Sequence, residues 1–282
     1  MTKLRNQMKM DLELKGYSSA TQAAYLRSIQ KFAEHYGQSP EWLGHDEIKA
    51  YLHHIITVTN AGNSTIDVAY SALKFLYEFT LSREWDMKKI PRTKRPKKLP
   101  VLLSPSEIKS LFQVTTNPKH KAILMTLYGA GLRVGEVTCL RVTDIDSSNK
   151  QIRVHQAKGK KDRYTLLSDQ NLHVLRMYWR HCRPREWLFP GKDPDQPMNA
   201  RAVASIFQQA KKKANIQKNV TPHTLRHCFA THLLEAGTSL YHIQQLLGHS
   251  SARTTGIYIH LTRKDILKVK SPLDRLEELD HD

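Results

Sequence analysis

The stretch "TPHTLRHCFATHLLEAG", Thr221 to Gly237, gathers three histidines, an arginine and a cysteine. His223 and His227 stand four apart, the helical spacing of a metal clip. Thr221 is suited to cap a helix whose first residue is Pro222, which puts His223 in the first turn. At about 100° per residue, with His223 at zero, Arg226 falls near ~300° and His227 near ~40°. His232 falls near ~180°, so the three histidines cannot share one ion. Leu225, Phe229 and Leu233 fall between about 200° and 280° and form the expected buried stripe. No glutamate stands between the two histidines, and Arg226 on the same face would repel a cation. The same facts favour an anion. A helix start offers free amides and a positive dipole end, and Arg226 adds a planar fork that fits phosphate oxygens. Taken alone, the stretch leaves open that His223 is only a surface residue of a helix start.

Three further pieces suit the same chemistry. "GAGLRVGEVTCL" places Arg133 just past a helix and a glycine-rich turn, with Glu136 three residues on. "AKGKKDR" carries Lys158, beside Lys160 and Lys161, and "LLGHSSARTTGIYIH" supplies His249 and, nine residues later, Tyr258.

The elements that must position these groups are legible in outline. "KQIRVHQAKGKKDRYTLLS" alternates Ile152 and Val154, then Tyr164 and Leu166, around a polar centre. That pattern predicts a β-hairpin with its tip near Ala157 to Asp162, and so puts Lys158 at the tip. "HKAILMTLYGAG" reads as a helix, and "LSPSEIKSLF" opens a domain with Ser104 as N-cap, Pro105 at the first position and Glu107 closing a capping box. Upstream, residues 1–87 read as about four helices. In "SSATQAAYLRSIQKFAEHYG", Tyr25, Ile29, Phe32, Ala33 and Tyr36 share one face, Ser18 or Ser19 can cap the start, and Gly37 follows the end. Ile66, Tyr70, Leu73, Phe75 and Leu76 repeat the pattern after a break at Asn60 to Ser64. Between the two halves lies "KKIPRTKRPKKLP", with three prolines and seven basic residues. It reads as a linker, 88–103, whose Lys94, Arg95, Lys97 and Lys98 suit a phosphate backbone, or else as a solvated tether. The expected organisation is thus 1–87 helical, 88–103 linker and 104–282 a mostly α domain with a small β-hairpin and a tail.

The 282 residues carry 44 Lys and Arg against 26 Asp and Glu, a formal charge of +18. Such an excess points to a polyanion, nucleic acid before a membrane surface. Lys211 and Lys212, in the run Lys211 to Lys213, add to the basic surface and are candidate backbone contacts. Three cysteines are not a disulfide framework and fit a reducing cytoplasm. Neither a signal-peptide core nor an apolar run long enough to span a bilayer is present, so a soluble cytoplasmic protein is expected.

In the order Arg133, Lys158, "HTLR" with His223 and Arg226, "LGH" with His249 and "TTGIYIH" with Tyr258, the chain resembles the tyrosine recombinase (phage integrase) family. The resemblance covers nearly the whole sequence and is nearest to Xer-like and transposon-borne integrases. It implies an N-terminal core-binding (SAM-like) domain and a catalytic domain. It also implies a site-specific recombinase that cuts and rejoins DNA through a 3′-phosphotyrosine and a Holliday junction, with no cofactor and no metal. Tyr258 would be the nucleophile, and Arg133 and Arg226 would clamp the scissile phosphate. Lys158 would protonate the leaving 5′-oxygen, His223 would accept the phenolic proton, His249 would donate to phosphate and Glu136 would orient Arg133. Partners implied are double-stranded DNA with paired inverted half-sites and a homotetramer of chains that are monomers when free. The tail would dock in cis or in trans, and an accessory DNA-bending protein or a partner recombinase can take part. Rival readings are a type IB topoisomerase, a non-catalytic DNA-binding protein of the same fold, and a metallohydrolase built on His223 and His227.

Overall fold

The computed structural model describes residues 2–86, 89–92, 100–157, 161–249 and 251–261. The chain divides into two compact units, Met1–Lys97 and Lys98–Asp282.

The first unit holds α1 (Thr2–Leu14), α2 (Ser19–Tyr36), α3 (His45–Thr57) and α4 (Asn63–Phe75), the last continued by a π-turn at Leu76–Thr80. Ser18 caps α2 by accepting from the Thr21 amide, and Gly37 ends it in the left-handed conformation, φ 66°. Met8 and Leu12 of α1, Phe32 of α2, Ile48 of α3 and Leu73 of α4 meet in one core, as their helical spacing demands. Tyr25 and Tyr36 only edge that core, because Leu26 takes the inner position on α2. Each buried aliphatic or aromatic side chain contributes about 1.5–3 kcal/mol.

The second unit runs α5 (Pro105–Gln113), α6 (Pro118–Gly129), α7 (Val134–Thr138), β1 (Ile145–Asp146), β2 (Gln151–Ala157), β3 (Lys161–Leu166), α8 (Asp169–Cys182), α9 (Ala200–Lys213), α10 (Pro222–Glu235), α11 (Leu240–Leu247) and α12 (Ala252–Thr255), ending in a 3₁₀ turn at Gly256–Leu261. The capping box of α5 forms as its residues predict, with Ser104 Oγ accepting from the Glu107 amide at 3.2 Å and Glu107 Oε2 accepting from the Ser104 amide at 2.7 Å. Six consecutive residues of α6, Ala122 to Leu127, are buried, so this helix runs through the core and has no polar face. On α10, Leu225 and Phe229 are buried as expected and Leu233 is half-buried. Thr224, Arg226, Cys228 and Ala230 are buried as well, so protein covers more than the single stripe. Cys228 packs inside, its sulfur 3.2 Å from the Leu103 amide nitrogen.

The hairpin belongs to a three-stranded antiparallel sheet in the order β1-β2-β3. β1 is too short to show a period in sequence. Cross-strand pairs Ile152↔Thr165 and Val154↔Arg163 put those four residues on one face. Tyr164 and Leu166, the apolar alternation of the second strand, therefore fall on the opposite face from Ile152 and Val154. Both are exposed, at 54% and 41%, while Thr165 is buried. With a period of two, a one-residue difference in register exchanges the faces of a strand. The inward face of β3 is polar because it serves the site below.

Candidate active site

The site is assembled from the turn after α6, strand β3, helix α10, the turn after α11 and the 3₁₀ turn. After α6 the chain reverses at Gly131, φ +60°, where a Cβ would lie 2.3 Å from the Phe229 ring. Only glycine fits that turn, and it delivers Arg133 to the N-cap of α7. α7 is barely more than one turn long, so Glu136 at its third position folds back on Arg133. Glu136 accepts from the Arg133 amide at 2.8 Å through Oε2 and from its guanidinium at 2.6 Å through Oε1.

A second arginine reaches the same carboxylate from β3. Arg163 donates to Glu136 Oε1 at 2.9 Å and to Oε2 at 2.7 Å, a planar fork, while its Nε donates to the Leu246 carbonyl at 3.0 Å. Gly248, φ +62°, ends α11 where a Cβ would lie 2.7 Å from Arg163 Cδ. Arg163 therefore joins the hairpin, α7 and the turn before His249. Sequence reasoning missed it. The signal was its odd position on β3, one residue before Tyr164, on the face opposite the apparent apolar one.

Arg226 is the third cation. It is 1% exposed and donates to the carbonyls of Gly131 at 2.7 Å and Leu247 at 2.6 Å, with Nη1 3.7 Å from Glu136 Oε2. One carboxylate thus faces three guanidiniums, an excess of two positive charges in a confined space. Burial alone would raise the Glu136 carboxyl, but the hydrogen bonds and charge of Arg163, then the bonds from Arg133, outweigh it and hold it down at about 2. Burial, then the charge of Arg133, pulls Arg226 down to about 10. A site so charged is built to receive an anion.

Tyr258 lies on the 3₁₀ turn, 1% exposed, packed with Phe229, Ala230, Ile243 and Leu247. Burial raises its phenol, and the charges of Arg226 and Arg133 draw it partly back. Its hydroxyl meets His227 Nδ1 at 3.1 Å. His249 lies with its ring parallel to Tyr258 at 6.5 Å, and its Nδ1 is paired with Thr255 Oγ1 at 2.9 Å. His223 stands edge-on to His227, ring centres 4.7 Å apart. Burial, then Arg226, holds His249 at about 4, and burial, then His223 and Arg226, holds His227 at about 4. Both are neutral imidazoles at pH 7.

The structure therefore brings Arg133, Glu136, His223, Arg226, His249 and Tyr258 into one region, linked through Glu136, Arg226 and His227. Among the described residues it is His227, not the expected His223, that touches the phenol. His232 is turned away, with Nδ1 2.9 Å from the Tyr128 hydroxyl, as the angular argument requires. Beside Arg133 an open groove of about 800 Å³ is lined by Glu136, Arg141, Asp144, His155 and Trp187. No group of three His, Cys, Asp or Glu side chains among the described residues is arranged to hold a metal ion. Lys211 and Lys212 end α9 and make no hydrogen bond or ion pair with the arginine cluster. Lys158, Lys94, Arg95, Lys97 and Lys98 lie outside the described residues, as does the tail beyond Leu261.

Helical units with a small sheet, and arginines converging beside a tyrosine, make an anion-receptive site on a mostly α fold. Comparison with known proteins says which. Residues 102–265 match the phage integrase family and residues 4–87 match the phage integrase N-terminal SAM-like domain. The protein y4qK of Sinorhizobium fredii is 42% identical over 98% of this chain and 90% of its own length. The tyrosine recombinase XerA of Pyrococcus horikoshii is 34% identical over 90% of this chain and 88% of its own. The fold is also that of a solved lambda integrase dimer bound to a COC′ core site, with a TM-score of 0.74 at 19% identity, covering 92% of this chain and 94% of that one. The chain belongs to the phage integrase family and is a site-specific tyrosine recombinase. No described helix is long and apolar enough to cross a membrane.

Proposed function

We propose that this recombinase breaks and rejoins DNA through a covalent 3′-phosphotyrosine on Tyr258, with no metal or nucleotide cofactor. The observation that carries the reading is the cluster of Arg133, Arg163 and Arg226 around the single carboxylate of Glu136, close enough to Tyr258 for Arg226 and Arg133 to stabilise its anion. The phosphodiester brings the negative charge that the site lacks. Arg133 and Arg226 meet its non-bridging oxygens, where charge grows in the transition state. One such preorganised donor is worth about 3–4 kcal/mol. His223 and His249 donate to the same phosphate, Lys158 protonates the leaving 5′-oxygen, and Glu136 holds Arg133. The bond energy stays in the tyrosyl ester, so the freed 5′-hydroxyl of a partner strand can reseal it through a Holliday junction.

Double-stranded DNA with paired inverted half-sites, bound in the cytoplasm by four copies of the chain, is the substrate this reading requires. The basic runs, Lys94, Arg95, Lys97, Lys98, Lys211 and Lys212, serve as backbone contacts. An accessory bending protein or partner recombinase and a role in a mobile element fit the same chemistry.

Covalent trapping tests the reading. Labelled, nicked duplexes from the DNA flanking the gene are mixed with wild-type protein and Tyr258→Phe in EDTA and run on a denaturing gel. A protein-linked band in the wild type alone is expected. An adduct with both proteins removes Tyr258 as nucleophile. Tight binding without any adduct favours a non-catalytic DNA-binding protein, and relaxation of site-free supercoiled DNA favours a type IB topoisomerase.

A further inference from the structure

Tyr258 needs a proton acceptor, because a phenol whose ionisation burial makes harder is a weak nucleophile. Among the described residues the side chain on its hydroxyl is His227, through Nδ1 at 3.1 Å. The alternatives are placed less well. His223 stands beyond His227, edge-on, and is bonded to Tyr258 by no hydrogen bond. His249 is stacked with the phenol ring, and its Nδ1 is engaged by Thr255.

We propose that His227 is a catalytic residue of this enzyme, the base that takes the proton of Tyr258 through Nδ1. The proposal rests on Tyr258 being the nucleophile. As the Oη–P bond forms, the phenolic proton passes to His227, which becomes an imidazolium. The P–O5′ bond breaks with its electron pair on O5′, which takes a proton from Lys158. In the resealing step both protons return, His227 protonating the departing tyrosine.

The surroundings of His227 suit this use. It is faced by Tyr258 from the 3₁₀ turn, by His249 from the loop after α11, and by His223 and Arg226 on its own helix. Burial, then His223 and Arg226, keeps it neutral down to about pH 4, so a lone pair is available throughout the working range. A phosphodiester seated on Arg133 and Arg226 cancels part of that positive field, and the imidazole then becomes more basic just when substrate is present. Helical geometry sets the contact. His223 and His227 share a face of α10, but His227 is one turn further along the helix, where its Nδ1 meets the Tyr258 hydroxyl.

The experiment uses the full chain and the duplex that traps the wild type, carrying a 5′-bridging phosphorothiolate so that leaving-group protonation does not limit the rate. His227→Asn puts an amide where Nδ1 stood and can accept no proton. It is expected to bind DNA as the wild type does and to cleave about 10²–10³ more slowly at pH 7. Its rate should rise with pH as the phenol ionises, and added imidazole should restore part of it. The wild type should be flat from pH 6 to 9, and His223→Asn should be slower yet equally flat. Cleavage by His227→Asn at the wild-type rate, or a loss that runs parallel to the wild type at every pH, overturns the proposal. A second measurement needs no variant: ¹⁵N-histidine shifts of the wild-type protein should show Nδ1 of His227 unprotonated, and a protonated Nδ1 overturns it. Absence of any adduct with the wild type instead strikes at Tyr258 as nucleophile, the reading on which the proposal stands.

Discussion

Replacing Glu136 by glutamine removes one negative charge and changes almost no volume, so it isolates the electrostatics of the site. In the native chain the Glu136 carboxyl sits at about 2 against an ordinary 4.5. At about 1.36 kcal/mol per unit, that depression is about 3 kcal/mol of stability. Glu136 is 10% exposed, so solvent screening removes little of it. The figure agrees with the roughly 3–5 kcal/mol lost when one partner of a buried ion pair is deleted. Because the folded pKa lies below the unfolded one, this contribution is complete above about pH 4.5 and disappears as pH falls toward 2. Glu136→Gln should therefore be less stable than the wild type by about 3 kcal/mol at pH 7, with the gap closing below pH 4.5. The assay is peptide-resolved hydrogen exchange of α6 and α10 in urea, which reports on the unit that contains the site. Millimolar sulfate should narrow the gap at pH 7, since an anion between Arg133 and Arg226 replaces the missing charge. A difference under about 1 kcal/mol at pH 7, or one that stays constant down to pH 3, would refute the view that Glu136 neutralises the arginine cluster.

Arg163→Lys keeps a charge but loses the fork on Glu136 and the bond to Leu246. Strand cleavage should fall by about 10–100-fold while DNA affinity, read on native gels, changes less than threefold. Gly131→Ala meets both a positive φ and the Phe229 ring, and thermal unfolding should show a loss of about 2–4 kcal/mol; an unchanged melting temperature would contradict the close packing of that turn. Lys158→Ala should lose about 10²–10⁴ in cleavage of ordinary DNA and recover most of it on a 5′-bridging phosphorothiolate, whose sulfur leaves without protonation. Equal loss on both substrates would move Lys158 from leaving-group acid to simple phosphate contact.

What was legible in the sequence was whatever repeats or is spelled by local rules. The capping box at Ser104, Pro105 and Glu107, Ser18 and Gly37 at the ends of α2, and the start of α10 at Pro222 depend on residues three or four apart, and all form. The helical angles of His223, Arg226 and His232 are fixed in the same way, and they put His232 on the other side of α10 from His223, where it meets Tyr128. Basic composition and the ordered set Arg133, Lys158, His223, Arg226, His249 and Tyr258 point to the family, which the match over residues 102–265 bears out.

Only the tertiary structure decided how these groups are held. Nothing local to β3 says that Arg163 points inward and Tyr164 outward; the pairing of Val154 with Arg163 does. Nothing near Glu136 announces that three arginines drawn from α7, β3 and α10, 93 positions apart at the extremes, close on it. His227 looked like the second half of a metal clip until the 3₁₀ turn brought Tyr258 against its ring, 31 residues along the chain. Local sequence sets backbone periodicity, and periodicity chooses which face a side chain shares with its neighbours. Which distant charge or hydroxyl meets that face is fixed by packing, because burial leaves each polar group only the partners the fold supplies.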